Sequence, residues 1–349
     1  MHMGGWMLYG ANGYTAKLIL DLALKAGQRP VLAGRNSEAI NAMAKQHDLP
    51  ARIFDLEHPD TLASALSGID AVLHCAGPFS ATAAPMLEGC LQVGAHYLDI
   101  TGEISVFKHC HEQHERAKAK GIVVMPGTGF DVVPTDSLAA MLKRDLPDAT
   151  ELVLAFDAGG GPSQGTAKTA VEGLAAGGKI RRDGQLASVP LAYKTREFEF
   201  EGERRFAMTI PWGDVYTAYV STGIPNIEVY MGVPPKTAER VRRMNFIRPL
   251  LGLGFVQSWL KTQAAKRGPG PSDDKRGHTR TVVWGEARNA EGREVRKVLV
   301  TPNGYDLTAH ASFGILQKVL KDKPAGGFYT ASQLMGPDYV LGLPGVRMP

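Results

Sequence analysis

Cysteine is scarce in this sequence. Its three cysteines, Cys75, Cys90 and Cys110, form no Cys-x-x-Cys pair, which argues against a disulfide scaffold or a structural zinc knuckle and fits a reducing cytoplasm. Long apolar runs are lacking as well. No segment reaches the ~18 uninterrupted apolar residues of a spanning helix, and no basic stretch precedes an apolar run at the N-terminus. A soluble, cytoplasmic protein is expected. Charged residues at 21% and hydrophobic residues at 44% lie near globular averages and speak against a disordered or fibrous chain.

Glycine and proline are in excess, 40 and 22 residues, about 18% of the chain against a usual ~12%. Many tight turns and close backbone approaches follow. A length of 349 residues suggests about two domains at roughly 150 residues each. The net charge of +4 is uneven: residues 236 to 280 hold eleven Lys or Arg against three acids, a local +8 that leaves −4 for the rest. Such a patch attracts phosphates, acidic proteins or lipid headgroups. No nucleic-acid partner is expected.

The first 125 residues alternate strand-length apolar runs with helical patterns. Strands are expected at Trp6 to Tyr9, Pro30 to Ala33, Ala51 to Phe54, Ala71 to Cys75, Tyr97 to Ile100 and Ile122 to Met125. Parallel neighbours need crossover helices, so the pattern predicts an α/β domain with a doubly wound parallel sheet. A helix at Thr135 to Arg144 follows, with Thr135 or Asp136 as its N-cap. After about residue 150, strands at Glu151 to Phe156, Thr195 to Phe200, Arg205 to Ile210, Val215 to Val220, Ile227 to Gly232, Thr279 to Trp284 and Val295 to Thr301 predict a second, α+β domain on a largely antiparallel sheet. Helices are expected near Ala167 to Ala176 and Lys236 to Ala265, and the Gly/Pro-rich stretch Gly268 to Gly277 reads as a loop. The boundaries are 1–148, 149–303 and a C-terminal helix and tail, 304–349, that returns to the first domain.

Gly10-Ala11-Asn12-Gly13-Tyr14-Thr15-Ala16 follows the first strand and opens the first helix. A turn without Cβ atoms lets backbone amides approach a pyrophosphate at a helix N-terminus; the other reading is an ordinary glycine turn. An NAD site places an acid at the end of the second strand for the ribose hydroxyl. Here that place reads Ala33-Gly34-Arg35-Asn36-Ser37, and the guanidinium of Arg35 suits a 2′-phosphate, so NADP(H) is the expected cofactor; a solvated arginine is the bland alternative. Asp55 would accept from the adenine amino group or cap the next turn.

These motifs, with His74-Cys75-Ala76-Gly77-Pro78-Phe79, Tyr97 to Glu103 and Pro126 to Pro134, resemble the saccharopine dehydrogenase-like oxidoreductases, nearest the branch that includes trans-acting enoyl reductases. The likeness extends to Gly165-Thr166-Ala167, Gly223 to Glu228 and Gly327 to Ser332. The resemblance implies that Gly10, Asn12, Gly13, Tyr14 and Thr15 cradle the pyrophosphate and that Arg35 and Asn36 hold the adenosine phosphate. Ala76, Gly77, Pro78 and Phe79, with Thr101, Gly102, Gly129 and Phe130, would line the ribose and nicotinamide. Saccharopine reductases resemble one another in an Asp-Pro-Gly loop after the sixth strand; this chain reads Phe130-Asp131-Val132-Val133-Pro134, which speaks against saccharopine as substrate.

Ligands in open α/β sheets bind beyond the carboxyl ends of the strands. A hydride acceptor also needs a proton and stabilisation of developing charge, for which Asp131, Glu103, Thr101, Asp99, Lys168 and Tyr219 are candidates. Thr101 with Glu103 reads equally as helix capping, and Asp131 as a brace for its loop. His109-Cys110-His111-Glu112-Gln113-His114 is not a His-Glu-x-x-His motif, and a helical period scatters its ligands, so no metal is expected. The apolar stretch Phe246 to Leu260 reads as core or dimer interface, or as a basic amphipathic element that meets an acyl carrier protein or the inner face of a membrane through residues 236–267.

The leading expectation is an NADP(H)-dependent reductase that delivers hydride to the β-carbon of an enoyl-type substrate between the two domains. The alternatives are the same chemistry on a C=N bond, with Arg181, Arg182, Arg196 or Arg205 for substrate carboxylates, and an NADPH sensor without turnover. An open sheet edge and the resemblance favour a homodimer.

Overall fold

The computed structural model describes residues 5–158, 171, 173–200, 202–265 and 270–349. They form two compact units: Met1–Val133 with Tyr305–Met335, and Pro134–Gly304 with Gly336–Pro349.

The first unit is built from β1 (Trp6–Tyr9), α1 (Tyr14–Lys25), β2 (Val31–Gly34), α2 (Ser37–His47), β3 (Ala51–Ile53), α3 (Pro59–Leu66), β4 (Ala71–His74), α4 (Phe79–Val93), β5 (His96–Asp99), α5 (Ile104–Glu112), α6 (His114–Lys120) and β6 (Val123–Met125). The strands pair in parallel in the order β6-β5-β4-β1-β2-β3. β1 and β4 are buried along their whole length, as strands covered on both faces by crossover helices must be. Glycines in the left-handed region end α4 (Gly94, φ 80°) and α6 (Gly121, φ 68°), where a side chain would strain the turn back to the sheet. The long helix Gly304–Asp322 buries Leu307, Ala311, Ile315 and Val319 along one stripe. A short strand, Gly327–Phe328, then joins β6 in parallel.

The second unit carries α7 (Val133–Asp145) and the strands β7 (Glu151–Ala158), β8 (Gly178–Arg182), β9 (Gln185–Val189), β10 (Thr195–Phe200), β11 (Glu203–Thr209), β12 (Asn226–Gly232), β13 (Arg280–Arg288) and β14 (Glu294–Pro302). The sheet runs β10-β11-β12-β7-β13-β14; β7 and β12 are parallel and the other pairs antiparallel. α7 packs so closely on one face that a Cβ on Gly285 would lie 2.7 Å from Leu142. On the other face Trp284 packs against Phe198 with tilted rings, their centroids 4.6 Å apart, and Glu286 pairs with both Arg196 and Arg296. The tail Gly336–Pro349 groups with this unit, where Arg347 bridges Val300.

Three local expectations need correction. The strand at Val215 to Val220 is the helix Asp214–Thr222, closed by Gly223 at φ 70°. Its buried Val215, Ala218 and Thr222 follow helical spacing, which outweighs the strand propensity of Val and Tyr. The helix at Lys236 to Ala265 breaks into Pro235–Arg243, the 3-10 turn Met244–Ile247, Arg248–Leu251 and Gly254–Ala265, as Pro249 and the glycines at 252 and 254 require. The hairpin β8–β9 was unforeseen, although its Asp183-Gly184 turn, with φ 49° and 77°, is a strong two-residue hairpin signal. Most of the helix expected at Ala167 to Ala176, with Gly165, Thr166 and Lys168, lies outside the described residues. Among the described residues no helix is long and apolar enough to cross a membrane.

Candidate functional site

The strand order of the first unit reverses between β1 and β4, the switch point where doubly wound sheets open a crevice. The loops there nearly touch. Gly10 has φ +76°, and a Cβ on it would lie 2.8 Å from the Cβ and 2.9 Å from the backbone nitrogen of Ala76. Only glycine lets the β1 loop pass the end of β4. Gly13 is the N-cap of α1; no side chain caps that terminus and its first turn holds no acid. A helix start of this kind presents amides and a positive dipole end to an anion, so these residues fit a pyrophosphate.

The adenosine corner forms around Tyr9, at the end of β1. Its hydroxyl donates to the Phe54 carbonyl at 3.2 Å and its ring lies 5.0 Å from that of Phe54. Burial raises the Tyr9 hydroxyl to about 12, while the charges of Arg35 and Asp55 act on it in opposite senses. Both side chains therefore flank the same edge, and Arg35 is exposed at the end of β2. Asn36 caps α2, its side-chain oxygen accepting from the Ala39 amide at 3.0 Å. Asp55 accepts from the Glu57 amide at 3.0 Å, the turn-capping alternative read from the sequence.

A hydrogen-bonded frame holds the loops after β4, β5 and β6. The Glu103 carboxylate accepts from the amides of Phe79 (2.9 Å) and Ser80 (2.8 Å), capping the start of α4. The Thr82 hydroxyl donates to the Ala76 carbonyl at 2.8 Å. His74, fully buried and held at about 3 by desolvation, contacts Thr82 through Nε2 at 3.0 Å and Phe79 edge-on at 5.2 Å. Asp99 joins two loops: Oδ1 accepts from the amides of Thr101 and Gly127, both at 2.9 Å, and Oδ2 from the Tyr97 hydroxyl at 2.6 Å. Burial lifts Asp99 to about 6 against the downward pull of these bonds. Thr101 is buried, and its hydroxyl accepts from the Glu103 amide at 3.1 Å.

Asp131 stands differently. It is half-buried, and its carboxylate faces the backbone of the β5 loop so closely that a Cβ on Gly102 would lie 2.5 Å from Oδ2. Burial, then the Glu103 charge, push it up to about 7. A carboxyl of this kind can hold or release a proton near neutral pH.

Two functional residues were missed. Thr308 accepts from the Phe130 amide at 2.9 Å, and the hydroxyls of Ser312 and Thr128 lie 2.9 Å apart. Gly129 passes Thr308 where a Cβ would come within 2.6 Å. These two hydroxyls, four residues apart in an otherwise apolar stripe of helix Gly304–Asp322, fix the β6 loop. Their polarity at buried helical positions was the available signal. Tyr305 meets Tyr14 edge-on at 5.0 Å at the start of α1.

Known proteins share parts of this sequence and its fold. Residues 6–125 match the model of the saccharopine dehydrogenase NADP binding domain. The first unit carries an NADP(H)-binding domain of the saccharopine dehydrogenase type. A trans-acting enoyl reductase of Mycobacterium leprae is 33% identical over 153 residues, 41% of this chain and 37% of that protein. A "probable mitochondrial saccharopine dehydrogenase-like oxidoreductase" of Arabidopsis thaliana is 27% identical over 199 residues, 50% of this chain and 44% of that protein. The matched regions thus span less than half of each of these relatives. The apo saccharopine dehydrogenase of Saccharomyces cerevisiae shares the fold over 99% of this chain and all of its own, with a TM-score of 0.66 at 12% identity.

The first unit thus brings together Gly10, Gly13, Tyr14, Ala76 to Phe79, Thr101 to Glu103 and Gly129 to Asp131. Tyr219 belongs to the second unit, where its ring lies under the Arg181 guanidinium at 4.1 Å. The arginines considered for substrate carboxylates have partners of their own. Arg181 donates to the Val215 and Gly184 carbonyls, Arg182 to the Tyr193 hydroxyl, Arg196 to Glu286, and Arg205 to Asp157 and Glu203. The imidazoles 111 and 114 are structural: His111 stacks on Phe328 at 4.7 Å, and His114 Nδ1 accepts from the Phe328 amide at 3.1 Å.

Proposed function

We propose that this protein is an NADP(H)-dependent oxidoreductase that reduces an activated C=C bond in an acyl-type substrate, with Asp131 as its proton donor. The observation that carries the reading is Asp131 itself, a half-buried carboxyl held near 7 among the loops of an NADP(H)-binding domain. Bound NADPH supplies hydride. The chain supplies the rest. Gly10, Asn12, Gly13, Tyr14 and Thr15 hold the pyrophosphate, Arg35 the 2′-phosphate, and Ala76 to Phe79, Thr101, Gly102, Gly129 and Phe130 the ribose and nicotinamide. Glu103 keeps the loop that begins α4 in place, and its charge adds to the burial that raises Asp131. Thr308 and Ser312 hold the backbone that carries Asp131. The name of the mycobacterial relative supports the enoyl assignment, and the internal pairing of Arg181, Arg196 and Arg205 disfavours an amino-acid-derived imine. Three free cysteines accord with a cytoplasmic setting, and the outer strands β10 and β14 of the second sheet offer edges for a homodimer.

The test is isotopic. The protein is incubated with NADPH deuterated at nicotinamide C4 and a mixture of enoyl thioesters and imines, and the label is located by mass spectrometry and NMR. Deuterium β to a carbonyl supports the reading. Label on a carbon bearing nitrogen replaces it with the C=N alternative, and no transfer to any acceptor replaces it with a sensor.

A further inference from the structure

Ten large hydrophobic side chains among the described residues are exposed, and six of them fall within one stretch of fourteen residues: Phe246, Ile247, Leu250, Leu253, Phe255 and Trp259. Phe246 is 89%, Phe255 74% and Trp259 61% exposed. Exposed apolar side chains scattered singly need no explanation, but a contiguous set marks an interaction surface.

The pattern inverts that of a water-facing helix. In Gly254–Ala265, Phe255 and Trp259, four residues apart, point outward, while the polar Gln257 points inward and its amide donates to the Leu251 carbonyl at 2.6 Å and the Val171 carbonyl at 3.3 Å. The 3-10 turn is tied down in the same way. Asn245 exchanges two hydrogen bonds with the Leu191 backbone, at 2.8 and 3.0 Å, and Arg242 donates to the Ala192 carbonyl. The outward direction of the apolar residues is therefore fixed by part-buried polar contacts beneath them.

Charge surrounds the apolar surface. Residues 236–265 hold six Lys or Arg against one acid, Glu239, and Lys236, Arg240, Arg242 and Arg243 are exposed on the helix that leads into the 3-10 turn. Outward aromatic and aliphatic side chains framed by cations are the complement of a lipid surface with anionic headgroups: rings and chains enter the acyl boundary and the cations stay at the phosphates. We propose that residues 236–265 form a peripheral docking element for an anionic membrane surface. The proposal rests on this surface alone and stands whichever bond the protein reduces.

The test uses the full chain with sedimenting vesicles of phosphatidylcholine alone and of phosphatidylcholine with about one third phosphatidylglycerol. Each cation near such a surface contributes about fivefold to partitioning. The expected result is recovery with the anionic vesicles only, weakened by salt. Partitioning should fall about tenfold or more in the double variant Phe246→Ser/Trp259→Ser and in Arg240→Glu/Arg243→Glu, with NADPH affinity unchanged in both. The charge-reversal pair keeps the test valid if the first variant misfolds. Failure of the wild type to bind anionic vesicles overturns the proposal. So does a lipid-free dimer that Phe246→Ser/Trp259→Ser converts to monomer, which would assign the surface to a second copy, or binding to an acidic acyl carrier protein without vesicle binding.

Discussion

Replacing Asp131 by asparagine separates a working acid from a loop brace. A carboxyl raised from 3.8 to about 7 corresponds to about 4 kcal/mol between its protonation states, reduced to about 2 kcal/mol for a side chain partly in solvent. Because the folded protein holds this proton more tightly than the unfolded chain, the favourable contribution is complete below the unfolded value of 3.8. It is lost progressively as pH rises toward about 7, and above that the folded state carries the full cost of the buried charge. The substituted amide has nothing to ionise. Asp131→Asn should therefore gain stability relative to wild type by about 1–2 kcal/mol between about pH 5 and about pH 8. Urea unfolding of both proteins at the two pH values measures this, and the difference between them cancels every other titrating group. A pH-independent difference would refute the reasoning, because it would mean that Asp131 titrates like an exposed carboxyl. With a substrate in hand, the same variant should lose about a hundredfold or more in kcat with NADPH affinity retained.

Three further outcomes follow from the frame. Gly10→Ala places a side chain in the left-handed region, which costs about 1–2 kcal/mol, and drives its Cβ into Ala76. The melting temperature should fall, and NADPH affinity should drop about tenfold or more when titrated calorimetrically. Thr308→Val leaves the buried Phe130 amide without its acceptor, at a cost of about 1–3 kcal/mol, measurable by denaturant unfolding. Glu103→Gln removes the negative neighbour of Asp131, so the Asp131 carboxyl should titrate at lower pH in a carbon-13 NMR titration.

The parallel sheet was legible because its strands are short, apolar and separated by helical periods, and because Gly10 and Gly13 stand where a strand becomes a helix. The same sequence logic located Arg35 at the end of β2. What it could not show was which polar groups already serve one another. Thr101, Glu103 and Asp55 read as ligands or as caps with equal force, Asn36 reads as a ligand alone, and only three-dimensional contacts reveal the hydrogen bonds that engage them. Glu103 is instructive: it lies at the start of α5, yet its carboxylate caps α4, a pairing 24 residues away in sequence. The polarity of Thr308 and Ser312 marked them, but what they hold did not show for a related reason, since their partners at 128 and 130 are distant in the chain. Val215 to Val220 misled because β-branched and aromatic residues report a half-buried surface as readily as a strand. The neighbouring Gly223 held the correction.

The proposed cofactor cleft, built by close-packed glycine turns, assigns Arg35 to a 2′-phosphate. Calorimetric titration of the wild type and Arg35→Ala with NADPH and NADH tests it directly. Wild type should bind NADPH about tenfold or more tightly than NADH, and Arg35→Ala should lose this preference by weakening NADPH alone. Equal affinity of the wild type for the two nucleotides would contradict it.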